Sequence, residues 1–148
     1  MGFLDYWKNE KDRIEPSDSQ LDLLGNSQEL APQRKRADGV TVFRRFTDSI
    51  KANGGDGECH KQAVITETAE LFDCTVRQLY QETGAKRFKR DTLPHEVQQA
   101  YMANETLTAY ELERMEGTIG GESQEDVNQQ INAVVKEESK KTRKRFPW

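Results

Sequence analysis

The chain has 148 residues, of which 34% are hydrophobic and 32% charged, and its formal net charge is −4. This length suits one small domain with tails, and the acidic balance excludes binding to nucleic acid through overall charge but not through a local basic patch. No apolar run is long enough for a membrane span and no secretory signal is evident, so we expect no membrane association and a cytoplasmic location.

Residues 1–39 are predicted to be a flexible N-terminal segment that contains one short amphipathic helix. Leu4 and Trp7 share one side of that helix, with Phe3 nearby. The polar run around and after Pro16 breaks the helical pattern, so residues 14–38 are predicted to be an irregular linker. Aromatic residues near a mobile end often dock onto a partner or onto the core.

Residues 40–116 are predicted to form the helical core, because helical periodicity is concentrated there. The first core helix is expected to stop at Gly54, and Gly84 is expected to stop a later one. Pro94 suits the first turn of a long helix that runs to about Glu116. Between these signals, helices are predicted over residues 58–72 and 75–83.

Residues 117–148 are predicted to form a hinge, a C-terminal helix and a basic aromatic tail. Three glycines within residues 117–121 make the hinge, and Ser123 with Asp126 has the form of a capping signal. An apolar stripe then follows at helical spacing, made of Val127, Ile131, Val134 and Val135. Because the chain shows no internal repeat and no convincing strand, the predicted fold class is all-α.

Residues 65–83 are predicted to form a helix-turn-helix. Two short helices joined by a tight turn must bury small and aliphatic residues where they cross, and the candidates are Ile65, Ala69, Val76 and Leu79. A larger side chain at Ala69 is therefore expected to overpack the crossing. The second helix would then expose Thr75, Arg77, Gln78 and Gln81, residue types that contact guanine, adenine, thymine or phosphate from the major groove of DNA.

The stretch ITETAELFDCTVRQLYQE, residues 65–82, resembles the helix-turn-helix of the MerR-type transcriptional regulators. Six residues match that family's pattern in order without a gap: Ile65, Ala69, Thr75, Val76, Arg77 and Leu79. The resemblance implies a recognition helix that begins near Thr75, with Arg77 near the DNA backbone or base edges. The chain departs from the family in having the motif far from the N-terminus, Asp73 where glycine is common, and no strand-forming wing after Gly84.

A basic loop follows the predicted recognition helix. Its four cations are interrupted by Phe88, and they are Lys86, Arg87, Lys89 and Arg90. Such a loop can hold phosphates on either side of a groove, which would make DNA binding salt-dependent. The alternative is a solvated surface loop without a ligand.

The C-terminal tail carries cations between residues 136 and 145 that could form a second phosphate-binding arm. The aromatic end that follows them is predicted to dock in a groove of a protein partner, through Phe146, Pro147 and Trp148. The alternative is a frayed, solvated end. From Asp91 to Asp126 acids dominate, and that region is expected to repel DNA and to face the basic segments or a protein partner.

Enzyme and metal motifs are incomplete. Cys59, His60 and Cys74 lack the paired spacing of a zinc site, and His95-Glu96 lacks the second histidine of the zincin motif because Gln99 stands there. We therefore expect no enzymatic activity, no metal and no cofactor. Two hypotheses remain: a sequence-specific DNA-binding regulator or accessory protein, and a non-enzymatic helical adaptor that acts through its aromatic tails and acidic helix. A homo-oligomer is compatible with both.

Overall fold

The computed structural model describes residues 2–14 and 31–148, with side chains described for residues 2–10 and 38–148. Within these residues the chain forms helices and no strand, which confirms the predicted all-α fold. The helices are α1 (Phe3–Ile14), α2 (Ala31–Ala52), α3 (Gly57–Phe72), α4 (Val76–Thr83), α5 (His95–Arg114) and α6 (Gln124–Arg143), with a short 3₁₀ turn at Arg90–Thr92.

The second helix begins earlier than the sequence indicated. Its backbone is helical from Ala31, so residues 31–38 are not the irregular linker that was predicted. Pro32 is tolerated because it lies in the first turn, where its missing N–H would have no intrahelical partner. Residues 15–30 of the predicted linker lie outside the described residues.

Side-chain caps and left-handed residues set the helix boundaries. The carboxylate of Asp56 accepts from the Cys59 N–H at 3.0 Å and starts α3, and Ser123 starts α6 as predicted. Gly84 ends α4 with a φ of 74°, and Gly54 follows α2 with a φ of 93°. These glycine positions confirm the predicted helix ends.

Four long helices make the body of the fold. α3 packs mainly against α6, α2 against α5, and α5 against α6, whereas α1 lies against α3 and α4. The packed core therefore extends beyond residue 116, because α6 contributes buried side chains from Ile131 to Thr142. Within the described parts of the chain, none of the helices has the length and apolar character needed to cross a bilayer.

Two hydrophobic clusters occupy different levels of these helices. One, here called the apolar cluster, contains Phe46, Ile50, Cys59, Ala63, Ala109, Leu112, Ile131 and Val135. The other, here called the aromatic cluster, contains Phe3, Leu71, Phe72, Cys74, Leu79, Tyr80, Leu93, Val97, Ala100, Tyr101 and Trp148. Each cluster draws on α3 and α5 at positions about two turns apart along the helix.

The C-terminal tail closes onto the aromatic cluster. The Trp148 ring lies 4.8 Å from that of Phe3 between centroids, and its indole N–H donates to the Leu71 carbonyl at 2.7 Å. Phe146 is half-buried and stacks on Trp148, and Pro147 is exposed. The predictions of a free docking peptide and of a frayed end are therefore wrong for Trp148, because α1 and the tail bury each other's aromatic rings.

Candidate nucleic-acid interface

The crossing of α3 and α4 is packed differently from the prediction. Leu79 is buried, as expected, and Val76 is half-buried against the aromatic cluster, but Ile65 is 43% exposed and Ala69 is exposed. The prediction that these four residues share a core is therefore wrong for Ile65 and Ala69.

The reason lies in the face of α3 that turns inward. Ala63, Glu67 and Leu71 recur every four residues and are fully buried, which points Ile65 and Ala69 away from the core. Leu71 and Phe72 of α3, rather than Ile65 and Ala69, share the aromatic cluster with the buried side chains of α4. The order of helix, tight turn and helix is present, whereas two of the six positions matched to the MerR-type pattern do not pack in the crossing.

The outer face of α4 carries the four side chains predicted to read DNA. Thr75, Arg77, Gln78 and Gln81 are all exposed. Thr75 and Gln78 form a capping box, in which the Thr75 hydroxyl accepts from the Gln78 N–H at 3.1 Å and the Gln78 side-chain oxygen accepts from the Thr75 N–H at 3.0 Å. Arg77 and Gln81 form no side-chain hydrogen bond to another described residue, so they are the more available pair.

The loop after α4 is a fixed turn. The Lys89 N–H donates to the Lys86 carbonyl at 3.0 Å, and Phe88 occupies the third position of this turn with a φ of 62°. The Thr92 hydroxyl accepts from the Lys86 N–H at 2.9 Å and donates to the Lys89 carbonyl at 2.5 Å. Thr92 therefore forms hydrogen bonds with both the first and the last residue of the turn. Phe88 is 79% exposed at the tip.

The turn and α4 border a common groove. Arg77 and Gln81 of α4 and Arg87 and Phe88 of the turn line a cavity of about 500 Å³, here called the α4 groove. The exposed cations in and beside it, Arg77, Lys86, Arg87 and Lys89, form no salt bridge with a carboxylate whose side chain is described. Three of the eight predicted DNA-contacting residues, Arg77, Gln81 and Arg87, thus line this groove, and Lys86 and Lys89 lie in the same turn as Arg87.

Arg90 is the exception among the predicted cations. Its Nη1 atom donates to both carboxylate oxygens of Glu105, at 2.9 and 2.8 Å, and its guanidinium lies 4.4 Å from the Phe43 ring centroid and 4.1 Å from that of Tyr101. The prediction that Arg90 contacts DNA is therefore corrected: its charge is held by a carboxylate inside the helical body.

Arg90 belongs to a layer of buried polar side chains that sequence reasoning missed. The layer lies between the two hydrophobic clusters along α3, α5 and α6, and it consists of Glu67, Thr68, Asn104, Glu105, Thr108, Ser139 and Thr142, with Arg90 entering from the side. Asn104 donates to Glu67 Oε1 and to Ser139 Oγ, both at 3.0 Å. The sequence does contain an indication of this layer: polar residues stand at helical positions that share a face with apolar ones. Glu67, for example, lies four residues from both Ala63 and Leu71.

Protonation in this polar layer follows from burial. Burial raises the pKa of the Glu67 carboxyl well above its ordinary value, and the nearby Glu105 carboxylate raises it further against the opposing effect of Arg90. Burial also raises the pKa of Glu105 and acts to lower that of Arg90, but the two carboxylates outweigh it and raise the Arg90 pKa. Glu67 therefore keeps its proton to a higher pH than an ordinary glutamic acid, and Glu105 is the carboxylate that hydrogen bonds to Arg90.

A second groove lies on the other side of the turn. It has a volume of about 580 Å³, is here called the α2 groove, and is lined by Phe43, Arg44, Phe88, Lys89, Arg90 and Tyr101 among others. Phe88 lines this groove as well as the α4 groove. The aromatic tip of the turn thus separates two concave surfaces.

The basic residues of the C-terminal helix border a separate concavity. Lys140, Lys141 and Lys144 line a cavity of about 580 Å³ together with Glu70 and Glu137. Lys141 pairs with Glu138 at 3.4 Å. Acids interleave with the cations here, so this region is a weaker candidate for a phosphate-binding arm than the turn after α4.

The cysteines lie in different clusters. Burial, with a smaller effect of a nearby aspartate in each case, raises the pKa of both Cys59 and Cys74 to about 11. Cys59 lies in the apolar cluster and Cys74 in the aromatic cluster. Among the residues with described positions, no three potential metal ligands of the His, Cys, Asp and Glu types come together.

Comparison of the chain with protein-family models, curated proteins and solved structures finds no match. Function is therefore inferred from the geometry and charge of the surface around α4.

Proposed function

We propose that the protein is a DNA-binding regulator or accessory protein. It would contact DNA through a basic surface formed by α4 and the turn after it, namely Arg77, Gln81, Lys86, Arg87, Phe88 and Lys89. The observation that carries the proposal is that the four cations of this surface are exposed and unpaired with any described carboxylate, with Arg77 and Arg87 lining the α4 groove and Lys89 the α2 groove on the other side of the turn. Unpaired cations retain the charge with which they can replace the counterions of DNA.

The acidic total charge does not oppose this proposal strongly. Of the acids between Asp91 and Asp126, Glu105 pairs with Arg90, Glu113 with Arg45 and Glu111 with Arg114. Internal pairing reduces the field of that region, and salt screens the remaining exposed charges beyond about 10 Å at 0.1 M ionic strength. The local basic surface is therefore able to attract phosphate in an acidic chain.

Different roles are expected for the cations. Arg77 projects from the first turn of α4. Its guanidinium can donate two parallel N–H hydrogen bonds to a pair of acceptors on a base edge. Lys89 ends the turn, from which its ammonium group reaches phosphate as a point charge. Arg77 would therefore supply sequence preference and Lys89 general affinity.

The experiment is a titration of wild type, Arg77→Ala and Lys89→Ala with a DNA sequence selected from a random library and with a scrambled version, at several salt concentrations. Loss of Arg77 should cost about 1–3 kcal/mol of binding free energy, mostly for the selected sequence. Loss of Lys89 should weaken both sequences equally and reduce the slope of log affinity against log salt by about one. Lys51→Ala, at the exposed end of α2, is the matched control and should change neither.

Wild-type protein that binds neither sequence in a salt-dependent manner would overturn the proposal. The adaptor hypothesis would then remain, although it could no longer rely on Trp148, which is buried in the aromatic cluster. Equal losses on both sequences for Arg77→Ala and Lys89→Ala would keep DNA as the ligand and make Arg77 a backbone contact.

A further inference from the structure

We infer that the DNA bound by the basic surface is single-stranded and that an unpaired base stacks on the ring of Phe88. This inference rests on the proposed function and specifies the form of nucleic acid that the surface accepts. The inference starts from Phe88, whose side chain is exposed at the tip of the turn, between cations, and does not pack in the core.

The exposure of Phe88 is not a result of a loose backbone. The turn is closed by the hydrogen bond from Lys89 N–H to Lys86, and Thr92 binds both of its ends. Arg90, which follows the turn directly, is anchored to Glu105 in the polar layer. The turn that presents the ring is therefore closed by hydrogen bonds and followed by an anchored residue, and a preorganised aromatic group binds a ligand at low entropic cost.

The backbone at Phe88 is unfavourable for its residue type. A φ of 62° belongs to the left-handed region, which glycine or asparagine would adopt more easily at this position of a turn. Strained backbone that the surrounding hydrogen bonds enforce is common at ligand-binding positions. A phenylalanine here is thus costly for folding, and its exposed ring is the property that a ligand would use.

The surroundings of the ring fit a polyanion with flat groups. The Arg87 guanidinium lies 4.7 Å from the Phe88 ring centroid and covers one face. Cations lie in the grooves on both sides, with Arg77 and Arg87 in the α4 groove and Arg44 and Lys89 in the α2 groove. A strand that crosses the turn would therefore meet positive charge before and after the aromatic tip.

An unpaired base fits this site better than a duplex. In a duplex each base face is covered by its neighbours, so an exposed ring meets only edges and backbone, whereas a single strand offers its base faces for stacking. The grooves, at about 500 and 580 Å³, are of the size that holds a small molecule, which suits single nucleotides. The combination of stacking ring and flanking cations is the common design of single-strand binding surfaces.

The test uses a single-stranded oligonucleotide of about 12 nucleotides and the duplex of the same sequence, within the span of one binding module. Wild type should bind the single strand more tightly than the duplex. Phe88→Asn should weaken single-strand binding roughly tenfold, which corresponds to ~1.4 kcal/mol, and should weaken duplex binding by a smaller factor. Phe88→Tyr, which keeps the aromatic face, should bind the single strand as wild type does.

Thermal melting separates a binding effect from a folding defect. Because asparagine tolerates a positive φ, Phe88→Asn should melt at the wild-type temperature or above it while its affinity falls. Phe88→Trp places a fluorescent indole at the tip of the turn, and a base that stacks on it should quench the fluorescence of this indole. The wild-type protein, which contains only Trp7 and Trp148, gives the background change on DNA binding. Lower affinity without quenching in Phe88→Trp would overturn base stacking.

Failure of this inference differs from failure of the proposed function. Salt-dependent binding with equal affinity for duplex and single strand, or unchanged single-strand affinity in Phe88→Asn, would overturn the inference and keep DNA as the ligand. Absence of binding to either form would overturn both.

Discussion

The apolar cluster and the polar layer occupy neighbouring levels of the same helices but are held together by different forces. In the apolar cluster, side chains such as Leu112 and Ile131 are fully buried and interact without directional preference. One level further along, Glu67 and Asn104 are equally buried but are joined by hydrogen bonds of defined geometry. Burial alone therefore does not describe the interior of this protein.

Because different forces hold the two levels, substitutions should alter the stability of the protein in different ways at each level. An apolar cluster loses stability in proportion to the volume removed and tolerates replacement by residues of similar size. A polar layer depends on every partner, because one removed group leaves another unsatisfied in a medium where water cannot replace it. Substitutions at the two levels should therefore differ in size and in pH dependence.

The largest effect is expected for Arg90→Ala. It leaves Glu105, which is 1% exposed, without its cation, and removal of one member of a buried ion pair costs about 3–5 kcal/mol of unfolding free energy. Urea denaturation at neutral pH measures the loss. Arg87→Ala, which removes an exposed cation from the preceding turn, is the control and should change stability by less than about 0.5 kcal/mol. Similar losses for both variants would show that Arg90 is not part of the interior.

The next effect is expected for Ile131→Ala in the apolar cluster. Ile131 is fully buried, so the truncation should cost about 3 kcal/mol through lost burial and a residual cavity. Ile131→Val removes only one methylene and should cost about 1 kcal/mol. Unlike the loss in Arg90→Ala, these losses should be independent of pH. A pH-dependent loss would contradict the separation of the two levels.

A smaller effect of opposite sign is expected for Glu67→Gln. Because burial and the Glu105 carboxylate raise the pKa of Glu67, the folded state keeps a proton that the unfolded chain releases above the ordinary value of 4.5. This contribution to stability is complete below that pH and is lost as pH rises through the raised pKa. Glutamine mimics the protonated acid, so the variant should be more stable than wild type at alkaline pH.

The measurement for Glu67→Gln is the urea midpoint between about pH 5 and pH 8. The wild-type midpoint should fall more steeply with pH than that of Glu67→Gln. Glu116→Gln, which changes an exposed acid, is the control and should follow the wild-type curve. Parallel curves for wild type and Glu67→Gln would show that Glu67 is ionised in the folded protein.

The smallest effect is expected for Ala69→Leu. Ala69 is exposed on the outer side of α3, so the larger side chain should change stability by less than about 0.5 kcal/mol. Ala63→Leu, at a fully buried position of the same helix, should overpack the apolar cluster and cost about 1–3 kcal/mol. A large loss for Ala69→Leu would restore the helix crossing predicted from the sequence.

Local signals in the sequence were sufficient for the helix boundaries. Thr75, Gly84 and Ser123 are caps whose chemistry involves only residues within one turn, so each was predictable. The exposed surface of α4 and its turn also followed from local pattern. The exposed cations around Phe88 are therefore predictable from the sequence, whereas the positive φ of Phe88 is not.

Long-range partners were not predictable in the same way. Nothing in the run around Arg90 distinguishes the one cation that pairs with Glu105 from its exposed neighbours, because the partner is on another helix. The inward face of α3 is not predictable from residue type alone. The apolar residues Ile65 and Ala69 favour one face of the helix, whereas the buried face contains Glu67, whose hydrogen-bond partner Asn104 lies on α5. Trp148 was misplaced for a similar reason, since its contacts with Phe3 join opposite ends of the sequence.

The two cysteines make the interior accessible to kinetic measurement. Cys59 and Cys74 are both buried with pKa values raised to about 11, so near neutral pH an alkylating reagent finds almost no thiolate in the closed protein. Labelling should then proceed only through transient openings, at rates that report their free energies. Since Cys59 is in the apolar cluster and Cys74 in the aromatic cluster, single-cysteine variants would time the opening of each separately.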